Sequence, residues 1–338
     1  MIQAPITIYD LSLNVRVSWQ AHSLSNAGTN GSNKLMPRRQ LLANRTETDA
    51  CSGNIAKHHH AILLAEYLEA AHIPLCPACS QRDARRAAAL TERPEYKDLT
   101  MEEILTMCGL CDAHGFLVTA KRAKSKENKE TGDEQENEES DRLRRSKHTL
   151  VDFSFALALP DRHAETSQLY TRVGDTKEEG QMLMKMPSRS GDYALNIRYS
   201  SVGIGVDTDK WQVIVHDPEK RRSRHTAILS ALRDSLLSPD GAMTATMLPH
   251  LTGLQGAVVV CTSAGRAPVV SALCDDFVTQ LQTLASPTCR VYPFESIASF
   301  NVLMNDLITH SSPCFPASYQ KDHQGNTGSR VNDEPSVK

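Results

Sequence analysis

The sequence predicts an α+β protein whose core runs strand, helix, strand, strand, helix, strand, the ferredoxin-like order. Three observations carry this. Residues 5–19 alternate apolar and polar side chains, as a half-buried strand does. Residues 54–71 and 223–237 place Ile, Leu, Tyr and Ala at helical spacing. Between those helices lie VDFSFALAL (151–159) and the β-rich stretches within 193–215, and GAVVVCTS (256–263) after the second helix reads as a buried strand.

Taken in order, the first strand is followed by SLSNAGTNGSNKLMPRRQ, whose Gly, Asn and Ser predict an irregular loop. Ser52 is placed to cap the helix that begins near residue 54. A Cys-bearing segment comes next, with a short helix at 100–107. Residues 121–147 hold nine basic and eight acidic side chains and almost nothing apolar, so they predict a mobile insert or a solvated helix. Helices are expected at 269–285 and 296–310, and the polar tail 316–338 is expected to be disordered. The same order of elements is that of RNA-recognition modules, but YALNIRYS is not their aromatic stacking motif.

Hydrophobic residues make up 40% of the chain and charged residues 23%, the balance of a soluble globular protein. No apolar run approaches the ~20 residues that cross a bilayer. The alternating N-terminus lacks the unbroken apolar stretch of a signal peptide, so a cytoplasmic location is expected. A net charge of −3 does not advertise a nucleic-acid binder, yet residues 1–60 carry six Lys/Arg against three acids. A second basic knot, EKRRSRH, spans 219–225. Local basic faces on a balanced chain are compatible with a phosphate backbone as partner.

Nine cysteines, in a chain read as cytoplasmic, do not predict disulfides. Four of them form CPAC (Cys76, Cys79) and CGLC (Cys108, Cys111). Two such pairs supply four thiolates for a tetrahedral ion, so structural zinc is expected, with His72 and His114 as possible substitutes; reduced, packed cysteines are the alternative. Four Cys ligands leave no open position for catalysis.

CSGNIAKHHH (51–60) sits where the first helix starts. On a helix His58, His59 and His60 point in different directions and cannot share one metal. One is expected in the core and two partly exposed. With Ser52, Asn54 and Lys57 at a helix N-terminus, the stretch suits a phosphate. The loop 26–39 adds Lys34, Arg38 and Arg39, but it matches neither phosphate-binding glycine motif of nucleotide enzymes.

Four features together resemble the "Cas-seven" family in its DevR-like branch, the crRNA-binding backbone subunits of CRISPR class 1 (Cascade) effector complexes. These are the first strand with its Gly/Asn loop, SGNIAKHHH, CGLCDAHGFL, and DPEKRRSRHTAILSALRDSLLSPDGA…LPHL…GAVVV. The resemblance covers most of residues 5–290. It implies a modified RRM/ferredoxin-like palm over residues 1–315, with a Cys-rich helical insertion at 72–120 and a thumb hairpin at about 163–194, in the shape of a right hand. It implies copies of the chain stacked along crRNA, contacts with other Cascade subunits, and target DNA met through the guide. Ser52, Asn54, Lys57 and His58 are carried over as RNA contacts, and Asn30, Lys34 and Arg38 as a loop touching the RNA backbone. RNA-cutting relatives place an Asp in the first loop; NAGTNGSNK has none, and Asp49 is the nearest carboxylate. A non-catalytic scaffold is therefore expected. A zinc-containing DNA-binding regulator, reading DNA through the helix start RRSRHTAIL, is the alternative, and a ribonuclease a further one.

Overall fold

The computed structural model describes residues 5–23, 26–31, 34–119, 145–173, 181–240 and 247–316. Most of the charged insert and the tail from residue 317 lie outside the described residues. Along the chain run β1 (Asp10–His22), α1 (Gly53–Ala70), β2 (Ala156–Val173), β3 (Gln181–Ser200), α2 (Pro218–Leu237) and β4 (His250–Cys261), then β5 (Cys289–Phe294) and α3 (Ile297–His310). In space the strands are ordered β5-β4-β1-β3-β2, every neighbouring pair antiparallel. Glu47–Cys51 and Arg39–Leu41 continue the sheet beyond β2. The result is a mixed α/β architecture built on one large antiparallel sheet.

Period-two alternation decides what β1 does. Leu11, Leu13, Val15 and Val17 are fully buried in a core shared with Leu64 and Leu68 of α1, Ile228 and Leu232 of α2, and Phe300 and Met304 of α3. The alternate residues, Asp10, Ser12, Asn14 and Arg16, are buried as well. Residues 266–276 seal that polar face. The Ala267 amide donates to Asp10 (2.8 Å), Ser12 Oγ to the Pro268 carbonyl (2.6 Å), the Val270 amide to Asn14 Oδ1 (3.0 Å) and Arg16 to the Ala272 carbonyl (2.6 Å). This corrects the expected helix at 269–285. Only Phe277–Thr283 is helical, because the upstream backbone satisfies β1 instead of itself.

Other boundaries move for local reasons. Ile6–Ile8 leaves the first strand and pairs in parallel with Ser311–Pro313. The expected irregular loop contains a hairpin, Asn26–Asn30 against Lys34–Pro37, with Gly31 at φ +70° in the turn between them. Helix α2 starts at Pro218, ahead of the apolar periodicity. Proline suits the first helical position, and Asp217 accepts from the Glu219 and Lys220 amides. β2 and β3 extend together as a long hairpin whose register runs from Leu157↔Ala194 to Val173↔Gln181. The stretch 163–194 falls on that hairpin. Cys261 and Cys289 are joined as a disulfide between β4 and β5, where opposed residues bring their Cα atoms to 4.1 Å. The expectation that disulfides are not the default is corrected for this pair: strand adjacency, which spacing in sequence did not reveal, brings them together.

Candidate nucleic-acid interface and cysteine cluster

The start of α1 forms as its sequence suggests. Ser52 adopts an extended conformation and its side chain accepts from the Asn54 amide at 3.3 Å, satisfying one of the helix's unpaired donors. Gly53 is required here, because a Cβ would stand 2.3 Å from the Phe153 carbonyl oxygen. Asn54 and His58 are exposed and Lys57 is half-buried. Burial, and then the nearby Arg86 guanidinium, pull the Lys57 pKa below its ordinary value.

Two of the three histidines turn inward, not one. His59 and His60 lie on the stripe that also buries Ala61, Leu64 and Leu68. His60 Nδ1 is 2.8 Å from His114 Nε2, and its Nε2 is 3.4 Å from the Ile228 carbonyl. Burial pulls the His60 pKa down to about 3, so the ring is neutral at pH 7.

The loop candidates are set apart from this group. Asn30 and Lys34 are exposed on the first hairpin, while Arg38 donates to the Asn26 carbonyl at 3.3 Å. Lys34 lies in register with Lys185 of β3, and Leu169 of β2 pairs with Lys185. The strand leading into α1 pairs instead at Ala50↔Leu157. Between their partners on β3, Lys185 and Ala194, lie nine residues at about 3.3 Å each, which put roughly 30 Å of strand between the two groups. Lys185, exposed beside Lys34, was not singled out in the sequence; its signal appears only once strands are paired.

Asp49 is turned into the fold. It is 2% exposed, with Oδ1 2.6 Å from Arg189 Nη1 and Oδ2 accepting from the Tyr193 hydroxyl at 2.6 Å. The start of α2 is likewise consumed. Arg221 and His225 are fully buried and Arg224 is 3% exposed, which leaves Arg222 as the exposed arginine of RRSRHTAIL for the reading face the regulator alternative requires. Arg224 Nη1 meets Asp112 at 2.8 Å, Lys147 Nζ meets the same carboxylate at 3.1 Å, and the Gly205 amide donates to it at 2.8 Å. Burial opposes the Asp112 charge, but Lys147 and Arg224 outweigh it and hold the carboxyl below its usual range.

The four predicted cysteine ligands converge. Cys76 and Cys108 each precede a short helix, Pro77–Ser80 and Gly109–His114, and Cys79 and Cys111 sit inside its first turn. All four are fully buried, and their sulfurs lie within 4.8 Å of one another. Cys79 and Cys111 are 3.6 Å apart, and Cys76 and Cys111 3.9 Å. Zinc–sulfur bonds of about 2.3 Å require tetrahedral edges of about 3.8 Å. The cluster therefore fits one tetrahedral ion. His72 is exposed and His114 is engaged by His60, so neither replaces a cysteine.

The profile of the family described as CRISPR-associated negative auto-regulator DevR/Csa2 matches residues 13–282. The chain belongs to the DevR/Csa2 family. The match runs through β1, the α1 start, the cysteine cluster and α2, the segments that carried the resemblance in the sequence. Two solved structures are similar at 10% identity and a TM-score of 0.43. A CRISPR RNA-guided surveillance complex in a pre-nicking state covers 93% of this chain and 98% of its own, and a second surveillance complex covers 88% and 98%. No curated protein matches the chain. Among the described residues no helix is long and apolar enough to cross a membrane.

Proposed function

We propose that this DevR/Csa2 family member is a cytoplasmic, non-catalytic backbone subunit that coats the guide crRNA of a CRISPR effector complex. In this reading copies of the chain stack along the RNA beside other Cascade subunits and present the guide to target DNA. The observation that carries the reading is the α1 start within the family-matched region: Ser52, Asn54, Lys57 and His58 cap and flank a helix N-terminus, and no carboxylate is ion-paired to Lys57 among the described residues. The strand order around β1 supports a modified RRM/ferredoxin-like palm. The sealed polar face of β1 argues that RNA is held at the helix start and the hairpins, not on the open sheet that RNA-recognition modules use. The β2–β3 hairpin is the thumb in this reading, with Lys34 and Lys185 at its flank. The inward-bonded Asp49 supports a scaffold over a ribonuclease.

Purification without added RNA tests this directly. Heterogeneous RNA should co-purify in a particle much larger than one chain, with salt-sensitive and sequence-tolerant binding. A nucleic-acid-free monomer that ignores single-stranded RNA at low salt overturns it. The four-cysteine cluster is proposed to hold one structural zinc, and elemental analysis should give one zinc per chain. The family description, negative auto-regulator, keeps a DNA-binding regulator as the second reading. The burial of Arg221, Arg224 and His225 counts against α2 as its recognition helix.

A further inference from the structure

A cavity of about 690 Å³ opens between the α1 start and the Cys-rich insertion, lined among others by Lys57, Arg86, His114, Gly115, His148 and Asp209. Its volume accommodates a nucleotide. Arg86 reaches it from the insertion, anchored by Nε to the Gly115 carbonyl at 2.7 Å and by Nη2 to the His114 carbonyl at 3.5 Å. Both anchors are neutral carbonyls, so the guanidinium is positioned while its charge is unmatched by an ion pair among the described residues. Lys57 stands close enough to Arg86 for the two charges to repel, and the Asp152 carboxylate offsets that repulsion only in part. The lining carboxylate, Asp209, is turned to Ser146 Oγ at 2.7 Å and to His148 Nε2 at 4.0 Å.

Two like charges held together in a half-buried cavity destabilise one another until an anion joins them. The backbone of Arg86 adds a second sign of purpose. Its φ is +54°, in the region that disfavours a residue with a Cβ, so the surrounding structure over-determines its placement. His114, which is 2% exposed, also lines the cavity. His60 Nε2 faces the Ile228 carbonyl and must donate there, so His60 Nδ1 accepts from His114 Nε2. His114 Nδ1 is then a bare acceptor, closed to solvent and with no partner among the described residues.

We propose that this cavity is a phosphate site in which Arg86 and Lys57 clamp one phosphate group. The polynucleotide source of that phosphate rests on the RNA reading above; free phosphate is the other source of the same chemistry. Arg86 thus joins the ligand-contacting residues from a segment, the Cys-rich insertion, otherwise assigned only a zinc.

The test uses the full chain, with Arg86→Gln, Arg86→Lys and the unchanged protein, each with its thermal midpoint measured. Binding of a 20-nucleotide single-stranded RNA is followed across salt concentrations, and inorganic phosphate is titrated separately at fixed ionic strength. With RNA as source, Arg86→Gln lowers the slope of log affinity against log salt by about 0.7, the value of one phosphate contact on a single strand, and Arg86→Lys restores most of it. With free phosphate as source, phosphate raises the midpoint of the unchanged protein and of Arg86→Lys but not of Arg86→Gln. If the unchanged protein binds RNA, Arg86→Gln keeps the full slope, and phosphate shifts no midpoint, the cavity proposal is overturned while the RNA reading stands. If RNA does not bind but phosphate shifts the midpoint through Arg86, the RNA reading fails and the site stands. Should Arg86→Gln not fold, Arg86→Lys and the phosphate titration of the unchanged protein still decide: no phosphate-dependent shift, and no sensitivity of the RNA slope to Lys57→Gln, overturns it.

Discussion

The starts of α1 and α2 look alike in sequence and behave oppositely in the fold. SGNIAKHHH and DPEKRRSRH both place cations and histidines in the first turns of a capped helix. The first leaves Asn54 and His58 in solvent and Lys57 without an ion-pair partner among the described residues. The second leaves Lys220 and Arg222 exposed but spends the rest internally: Arg224 on Asp112, Arg221 on the Ile204 and Cys314 carbonyls and over the Phe315 ring, His225 between Tyr199 and Ser311. What separates them is not helix chemistry but the supply of acceptors from distant segments. Asp112 comes from the insertion, more than a hundred residues upstream of Arg224. A basic helix start is a ligand site only when the rest of the chain leaves it unpaired.

The sharpest way to break the comparison is to remove what the insertion supplies. Cys111→Ser should abolish the zinc and unfold the Gly109–His114 helix, which carries Asp112, so both the metal and the partner of Arg224 are lost. The expected fall in stability exceeds that of any other single change, since structural zinc contributes directly to folding. Elemental analysis with urea unfolding checks it; a zinc-free variant of unchanged midpoint sinks the assignment. Asp112→Ala comes next. It strands Lys147 and Arg224, both almost fully buried, at about 3–5 kcal/mol. Arg222→Ala, on the exposed side of the same turn, should stay within about 0.5 kcal/mol. Equal effects of the two would erase the distinction between a consumed and a solvated cation.

Acid sharpens the comparison through the histidines. Burial pulls His60 and His225 down to about 3. In the unfolded chain each titrates near 6.5, so the unfolded state binds more protons throughout the window between these values. Their contribution is therefore full above about pH 6.5 and is lost as pH falls toward 3, at roughly 1 kcal/mol per histidine by pH 5.5. Denaturant midpoints at pH 7.5 and 5.5 read this out.

Much of the architecture was legible because periodicity survives insertions. β1 and α1 each announce a buried face, and two CxxC pairs announce a four-sulfur cluster. What was not legible depends on pairing between distant segments. Residues 269–276 carry enough apolar side chains to suggest a helix, and only the buried Ser12, Asn14 and Arg16 explain why they do not form one. Asp49 reads as a free carboxylate until Arg189 and Tyr193, about 140 residues later, close on it. Likewise, Arg86 is one of many arginines in RDARRAAAL, and its neighbour Lys57 becomes visible only when the insertion folds back on α1.

The smallest expected effect is the most informative about α1. Lys57 lies half-buried, with its charge disfavoured by burial and by Arg86 and only partly supported by Asp152, so removing it relieves a net strain on the free protein. Lys57→Gln should therefore leave the thermal midpoint unchanged or slightly raised, an unusual outcome for a helix residue packed at a cavity wall. RNA affinity should nevertheless fall evenly across sequences, with the salt slope reduced by about 0.7, because the lost contact is to phosphate and not to a base. Lost stability with an unchanged slope would mean that Lys57 serves the fold, as Arg224 does. The two helix starts would then differ in exposure but not in role.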